Sequence, residues 1–177
     1  MVGEVGMTRT QIQEATAVLK GKPLWGCTRA ADMASFDFGA RRQVQGRRGT
    51  TIVGEYAFHV QCTWRITQEE ELLVGSHDLF YPEDYEDDSK DLPPDFDWDR
   101  DPTRRDKLIR LLFDNGTREF IVQTIQVGAA GSLHIALSDG ISLDVFPDRS
   151  LVREHWRLFR PGVDERHFVF TGWEIKK

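Results

Sequence analysis

The chain contains 177 residues, 40% of them hydrophobic, and its eleven Phe and five Trp supply enough bulky apolar material for one folded core, which excludes a disordered chain. No apolar run approaches the roughly 18 residues of a membrane-spanning helix, which argues against a helical membrane protein. The net charge of −6 argues against general nucleic-acid binding, because that function requires a basic surface.

The N-terminal residues predict a short leader followed by a helix. Residues 1–7 show no periodicity, and the first twenty residues contain no continuous apolar segment, which argues against a secretory signal and favours a cytoplasmic protein. A capping box formed by Thr8 and Gln11 begins the predicted helix Thr8–Lys20, whose apolar residues share one face. Gly21 is suited to the position just after its end.

Alternation of apolar and polar residues predicts three strands in the next part of the chain. They are Ala34–Phe38, Glu55–Ile66 and Leu72–Ser76. The second has the most regular alternation in the chain, and a half-buried antiparallel sheet is the structure that produces such a pattern. Between the first two, residues 40–50 are rich in Arg and Gly, and they predict an exposed, mobile loop.

An acidic segment follows these strands. Residues 83–101 contain ten Asp or Glu against two basic residues, a local charge of −8, so that the rest of the chain carries +2. Asp101 as the N-cap and Pro102 at the first helical position predict a second helix, which Asn115 and Gly116 end. The sequence therefore predicts a nearly neutral domain with one strongly charged connection.

The stretch 131–146 predicts a β-hairpin whose register can be derived. A two-residue Asp-Gly turn would place the two apolar sets on opposite faces, because a slip of one residue inverts every side chain. A three-residue loop, Ser138–Gly140, instead pairs Ile135 with Leu143 and keeps both sets on one face. We predict this register, with a type I turn and Gly140 in the left-handed position.

Further strands complete the predicted fold. Phe120–Val127 is one, with Ile121 on its buried side, and residues 154–159 and 167–173 form a C-terminal hairpin. The total is about eight strands and two helices that do not alternate regularly, which favours α+β over α/β. We predict a single domain over residues 8–177, built on a mainly antiparallel, strongly curved sheet with two covering helices.

The acidic segment is the main candidate for a functional surface. Its aromatic residues lie among carboxylates, so they could anchor a basic protein partner while charge steers the encounter. The residues predicted to bind this partner are Tyr85, Asp87, Asp88, Asp95, Phe96, Asp97, Trp98 and Asp99. Two other interpretations are a solvated acidic loop whose last Asp caps a helix, and a clasp onto the arginine-rich loop Arg41–Arg48.

Part of the same segment has carboxylates at alternate positions, as in a calcium-binding loop. These carboxylates belong to Asp95, Asp97, Asp99 and Asp101. Arg100 stands where such a loop needs glycine, and Asp106 replaces the closing Glu, which argues against calcium. Cys27 and Cys62 have no metal-ligand spacing and are predicted to be buried free thiols. We predict neither a metal nor a cofactor.

The polar face of the strand Glu55–Ile66 predicts an alternative site. The candidate residues for this cleft are Glu55, His59, Arg65, His77 and Asp78. A His beside a carboxylate can act as a general base, which would suit a small hydrolase or a ligand-binding domain. The same alternation is typical of the solvated face of a sheet, and the chain has no GxSxG motif and no phosphate-binding glycine loop. The sequence therefore favours a non-catalytic protein.

Six stretches of the chain carry a further signal. They are Pro23–Trp25, Arg29–Met33, Gly54–Gln61, Trp64–Arg65, Asp95–Asp99 and Glu154–Phe159. Together they resemble a family of small bacterial cytosolic proteins with a domain of unknown function, and the likeness would cover most of the chain from Lys20 onward. The resemblance implies a bacterial, cytoplasmic protein, and it implies no activity and no site residue.

Two functional hypotheses from different classes follow. The first is a non-catalytic interaction protein, such as an immunity or antitoxin-like factor, whose acidic, aromatic-bearing segment covers a basic partner. The second is a small hydrolase or ligand-binding domain that uses His59, His77 and Asp78. The first predicts an affinity that falls with salt, and the second predicts that the three side chains share a cleft.

Overall fold

The computed structural model of the chain describes residues 7–46 and 49–172. These ranges contain two α-helices, α1 (Arg9–Thr16) and α2 (Arg104–Leu112). Their strands are β1 (Pro23–Ala30), β2 (Met33–Phe38), β3 (Arg42–Gly46), β4 (Gly49–Val53), β5 (Tyr56–Val60), β6 (Thr63–Gln68), β7 (Glu71–Gly75), β8 (Phe120–Val127), β9 (Leu133–Leu137), β10 (Ile141–Phe146), β11 (Trp156–Phe159) and β12 (Phe168–Phe170). Short 3₁₀ segments lie at Ala17–Leu19, Ser76–Phe80, Asp114–Gly116, Ala129–Gly131 and Ser138–Gly140.

Ten of the described strands form one open sheet in the order β12-β11-β5-β2-β1-β8-β9-β10-β6-β7. Every pair of neighbours is antiparallel. The strands β3 and β4 form a separate hairpin. The fold is therefore α+β with a mainly antiparallel sheet and two helices, as predicted.

The number of described strands is larger than the eight that the sequence predicted, for three reasons. Strand β1 lacks a clear alternation and was not predicted. Residues 40–50, predicted to be a mobile loop, contribute instead to the β3–β4 hairpin, whose residues 47 and 48 lie outside the described ranges. The predicted strand Glu55–Ile66 is divided into β5 and β6.

The connection between β5 and β6 requires the sheet to fold back on itself. These strands are third and ninth in the strand order. A flat sheet would separate them by roughly 29 Å at an interstrand spacing of ~4.8 Å. Gln61 and Cys62 alone join them, and three residue steps span at most roughly 11 Å. The two halves of the sheet therefore face each other across a shared interior.

The alternation that predicted one long strand continues through this corner. Phe58 and Val60 on β5 and Trp64 and Ile66 on β6 are all buried. Both strands direct their even-numbered residues to the same interior, so the period of two is not interrupted where the chain passes from one half to the other. Periodicity located the buried face correctly, but it contains no information about the corner.

The interior is one contiguous apolar cluster. Phe58, Val60, Ile135 and Leu143 all belong to it, as the sequence predicted. The Trp64 ring on β6 and the Phe36 ring on β2 form a T-shaped contact at a centroid distance of 5.1 Å. Because β2 and β6 are fourth and ninth in the strand order, this contact joins the two facing halves of the sheet.

The β9–β10 hairpin has the predicted register. Ile135 pairs with Leu143, as a three-residue loop requires. The turn itself differs from the predicted type I, because Asp139 as well as Gly140 has a positive φ, at 60° and 70°. The N–H of Ile141 donates to the carbonyl of Ser138 across these two residues. This is type I′ geometry, whose twist matches that of the flanking strands, and Asp tolerates the left-handed region.

Both helices begin with a capping box. In α1 the box is formed by Thr8 and Gln11, as predicted, although the helix ends at Thr16 and continues only as the 3₁₀ segment. The N-cap of α2 is Thr103 rather than the predicted Asp101: its Oγ accepts from the N–H of Asp106 at 3.3 Å. The cap was missed because Asp106, in the third helical position, takes the place of the usual Glu or Gln.

Strand β8 contains a bulge that reverses part of the predicted face. Its register with β9 shifts between Val122 and Thr124. Phe120 and Val122 are therefore buried before the shift and Ile125 after it, whereas Ile121, predicted to be buried, is 39% exposed. A bulge adds one residue to one strand, so a strict period of two fails across it.

The chain ends are described only in part. Of the predicted leader, residues 1–6 lie outside the described ranges, and Met7 packs against the apolar cluster. The predicted C-terminal hairpin is formed by β11 and β12, and its last predicted residue, Trp173, lies outside the described ranges. Neither described helix has the length and apolar character needed to cross a membrane.

Candidate functional site

The N-terminal end of the acidic segment, residues 83–101, is attached to α2. The carboxylate of Glu83 forms an ion pair with Arg110, and that of Asp84 lies 3.2 Å from the Nζ of Lys107. The N–H of Glu83 also donates to the carbonyl of Pro102 at 3.2 Å. The first residues of the segment are therefore held against the helix that follows it.

Arg29, on β1, holds the other end of the segment. Its Nη2 donates to the carbonyl of Asp101 at 3.1 Å and its Nη1 to that of Asp99 at 3.4 Å. Its Nε donates to both carboxylate oxygens of Asp106 at 3.1 and 3.2 Å. Arg29 could not be predicted from the sequence, because its ion-pair partner lies 77 positions away and nothing in the neighbouring residues marks it.

Two aromatic contacts order the region between these anchors. The rings of Tyr81 and Tyr85 stack at a centroid distance of 5.0 Å, and those of Phe80 and Trp98 form a T-shaped contact at 5.5 Å. The Tyr85 hydroxyl donates to the carbonyl of Lys90, and desolvation together with nearby carboxylates raises its pKa. The aromatic side chains thus support the segment.

The carboxylates of the segment divide into two groups. The first group is paired within the protein. It includes the anchors Glu83 and Asp84, which pair with α2. It also includes Asp87, which accepts from the N–H and hydroxyl of Ser89, and Asp97, which accepts from the N–H of Asp99. The other group, which we call the outer carboxylates, consists of exposed side chains that form no hydrogen bond or ion pair with any described residue. The outer carboxylates are Glu86, Asp88, Asp91, Asp95 and Asp99.

A cavity of about 210 Å³ lies beside the stacked tyrosines. Outer carboxylates of Glu86 and Asp88 form part of its wall. Arg104 also lines it, but its Nε lies 3.6 Å from the carboxylate of Asp78, which pairs with its charge. Aromatic faces and unpaired carboxylates are the groups that surround bound ammonium and guanidinium ions in proteins. The cavity is therefore chemically suited to a cationic side chain.

The other interpretations of the acidic segment were a helix cap, a calcium site and a clasp onto the arginine-rich loop. The Oδ2 of Asp101 accepts from the N–H of Asp97 at 2.9 Å, so this carboxylate stabilises a turn. Within residues 7–46 and 49–172, no group of three or more His, Cys, Asp or Glu side chains is arranged to hold a metal. Of the arginines in the proposed clasp, Arg41 pairs with Glu119 and Arg42 donates to the carbonyl of Pro161, while Arg47 and Arg48 lie outside the described residues.

No family model, no curated protein and no solved structure matches the chain. Its function is therefore inferred from the geometry of its own residues.

The residues of the alternative cleft lie in separate contacts. Their partners are Lys22 for Glu55, Phe159 for His59, Asp144 for Arg65, Phe80 for His77, and Arg104 with the N–H of Gly75 for Asp78. Burial and the nearby Arg157 lower the pKa of His59. In the part of the chain that the structure describes, no hydrogen bond, ion pair or ring contact joins His59 to His77 or Asp78.

Two carboxylates outside the acidic segment are equally buried and differently paired. Asp37 and Asp144 are each 8% exposed. Asp144 lies 3.1 Å from the Nε of Arg65 and 2.7 Å from the Nδ1 of His134. Asp37 accepts from the N–H of Gly54 at 2.9 Å, has no ion pair with the described residues, and has its pKa raised by burial.

These two sites predict stability changes of opposite sign. At neutral pH, Asp37→Asn should stabilise the protein by about 1 kcal/mol, because it removes an unpaired buried charge and keeps an acceptor for Gly54. Asp144→Asn should destabilise it by about 1 kcal/mol, because it removes one partner of an ion pair. Urea unfolding of both variants checks the signs, and a loss of stability in Asp37→Asn would contradict the first.

The gain from Asp37→Asn should also depend on pH. The folded state holds the proton of Asp37 more tightly than the unfolded chain does, since burial raises its pKa. The stability that this proton contributes is present below the ordinary carboxyl pKa of about 3.9 and is lost as the pH rises through the raised pKa. Between neutral pH and about pH 4, the free energies of unfolding of the wild type and of Asp37→Asn should therefore converge, which urea unfolding at each pH would measure.

Proposed function

We propose that the protein is a non-catalytic interaction module that binds a basic protein partner through its acidic segment, as immunity and antitoxin-like proteins do. The observation that carries this proposal is the set of five outer carboxylates. They are exposed and without a cation among the described residues, although the anchors of the same segment are all paired. Charge complementarity with a basic partner would compensate them.

The anchoring of the segment favours binding as well. A loop that must become ordered on binding loses affinity through the entropy of ordering. The acidic segment is held at one end by Arg110 and Lys107 and at the other by Arg29, and its tyrosines are stacked. A partner would therefore meet carboxylates whose backbone positions are largely fixed.

The cavity beside Tyr81 and Tyr85 supplies the most specific part of the proposed surface. A Lys or Arg side chain of the partner would place its charge near Glu86 and Asp88 and its stem against the tyrosine rings. The neighbouring outer carboxylates would steer the partner toward this point over distances of about a Debye length, roughly 8 Å at physiological salt.

We predict that Asp88→Asn, Asp95→Asn and Asp99→Asn together weaken partner binding by roughly 10-fold to 100-fold at low salt, because they remove three of the five outer charges. The matched control is Glu69→Gln, Glu70→Gln and Glu71→Gln, which removes three exposed charges in and beside the β6–β7 turn. Proteins retained from a bacterial extract by each immobilised form are quantified by mass spectrometry, and the affinity of the purified partner is then measured at low and high salt.

The expected result is a basic protein that the wild type and the control retain and the triple Asp variant does not, with an affinity that falls as salt rises. Equal retention by all three forms, or an affinity indifferent to salt, would contradict the proposal. A bacterial, cytoplasmic location is part of the same proposal. No contact among the described residues favours the alternative of a hydrolase or ligand-binding domain using His59, His77 and Asp78.

A further inference from the structure

His155, the residue directly before β11, is a buried histidine that has no part in the proposed function. It is 2% exposed. The Nε2 of its ring is buried and has no hydrogen-bond partner among the described residues. Gly172 lies against this atom, since a Cβ at Gly172 would come within 3.3 Å of it. The ring is therefore enclosed, and one of its nitrogens makes no polar contact within the described structure.

The backbone of His155 connects two parts of the sheet. Its N–H donates to the carbonyl of Phe170 on β12 at 2.9 Å, and its carbonyl accepts from the N–H of Gln61 at 2.8 Å. Gln61 lies at the corner between β5 and β6. The ring of His155 also packs beside that of Phe170, at a centroid distance of 6.0 Å. A displacement of His155 would therefore disturb both the corner and strand β12.

The loop of residues 148–153 lies beside the His155 ring. All six of its residues are exposed, and none belongs to a helix or strand. The loop and the ring line a shared cavity of about 170 Å³. Hydrogen bonds hold the two ends of the loop. The Asp148 carboxylate accepts from the N–H and hydroxyl of Thr63 at 3.1 and 2.6 Å, and the N–H of Arg153 donates to the carbonyl of Thr171 at 3.2 Å. Segments with few buried contacts open at a low cost in free energy, so this loop is suited to open without unfolding of the core.

The surroundings of the ring oppose its protonation. Burial lowers the pKa of His155, Asp148 acts in the opposite direction, and Arg153 and Arg149 lower the pKa further. The carboxylate of Asp148 is already engaged by its hydrogen bonds at the end of the loop. The closed protein therefore holds a proton on His155 less tightly than a protein with an open loop would.

The other elements around His155 supply no compensating charge. The neighbouring Glu154 forms an ion pair with Arg157 at 2.6 Å. At the corner, burial raises the pKa of the Cys62 thiol to about 12, which keeps this group neutral. Residues 129–131 and 170–172 complete the surroundings and have no titratable side chain. A protonated His155 would therefore have no free carboxylate to pair with among the described residues.

We propose that His155 is an acid-sensitive latch, whose protonation opens the loop 148–153 and strand β12 while the rest of the sheet stays folded. In the protonated ring the Nε2 is a donor without an acceptor, and opening would expose it to water. Opening also returns the pKa of His155 to its ordinary value of about 6.5. The latch is therefore closed above about pH 6.5 and loses stability as the pH falls toward the lowered pKa of the closed state.

Hydrogen–deuterium exchange of the wild type and of His155→Gln, measured by mass spectrometry at about pH 7.5 and about pH 5, tests this latch. The intrinsic exchange rate changes with pH in the same way in both proteins, so the ratio of their protection factors isolates His155. In peptides over residues 148–155 and 168–172, the protection of the wild type should fall severalfold more than that of the variant. The upper limit is roughly 30-fold, because each pH unit below about 6.5 favours the open state at most 10-fold. Peptides over β9 and β10 should respond alike in the two proteins.

The matched control is His77→Gln, because His77 is an exposed histidine, and this variant should keep the pH dependence of the wild type. An equal loss of protection in His155→Gln would overturn the proposal. A loss that extends equally to β9 and β10 would also overturn it, because the whole protein would then unfold. If His155→Gln does not fold, the comparison of residues 148–155 with β9 and β10 in the wild type still decides, once the known intrinsic rates are taken into account.

Discussion

Gly131→Ala is expected to destabilise the protein by roughly 3 to 4 kcal/mol, since it combines overpacking of the core with an unfavourable backbone conformation. A Cβ at this position would lie 2.1 Å from the Cζ of Phe170 and 2.4 Å from its Cε1. Phe170 is fully buried, so its ring has little room to move. The φ of Gly131 is +74°, in the left-handed region that favours glycine.

Gly21→Ala separates the two contributions. Gly21 has a similar φ of +79°, and a Cβ there would meet no atom within 4 Å. Gly21→Ala should therefore lower the free energy of unfolding only through the unfavourable backbone conformation, by about 1 kcal/mol. Both variants are compared with the wild type by urea unfolding, followed by circular dichroism. Equal losses in the two variants would mean that the contact with Phe170 contributes nothing.

Gly131→Ala should disturb more than the contact with Phe170, because Gly131 lies where the two halves of the sheet meet. Its carbonyl accepts from the Nε1 of Trp156 on β11 at 3.3 Å, and Phe170 belongs to β12. Gly131 itself lies in the connection between β8 and β9. Long-range contacts of this kind are invisible in the sequence around residue 131, which predicted only the start of a hairpin.

The part of the fold that could be predicted from sequence is the part that depends on neighbours along the chain. The register of Ile135 with Leu143 follows from the loop between them and from the requirement that both face the core. The corner at Gln61–Cys62 does not follow from such a requirement. Whether a strand continues or turns into the other half of the sheet depends on which strands lie beside it, and β5 and β6 have different neighbours.

The candidate site, too, could be predicted from the sequence only in part. Composition alone located the acidic segment and its aromatic residues. The cations that hold it could not be predicted, because Arg29 is far away in sequence and is brought to Asp106 only by the packing of α2 near β1. The burial of Arg105 on α2 could not be predicted for a related reason: an arginine in the first turn of a helix is usually exposed, and its position against Trp64 is a property of the assembled fold.

Trp64→Ala is expected to cost about 4 kcal/mol, within the range for truncating a buried Trp. Trp64 is fully buried on β6, and its ring contacts Phe36 on β2 at 5.1 Å between centroids. Truncation would open a cavity between the facing halves of the sheet, lined by residues of both. It would also remove the ring that lies against the Arg105 guanidinium.

Trp98→Ala is the matched control, because Trp98 is only partly buried and its main ring contact is with the exposed Phe80. We expect it to lose less than about 1 kcal/mol, as is usual for a surface substitution. Circular dichroism is the suitable signal for unfolding, since both substitutions alter tryptophan fluorescence. Similar losses in the two variants would mean that β2 and β6 do not share an interior. In that case the two-residue connection between β5 and β6 would have to be explained without a sheet that folds back on itself.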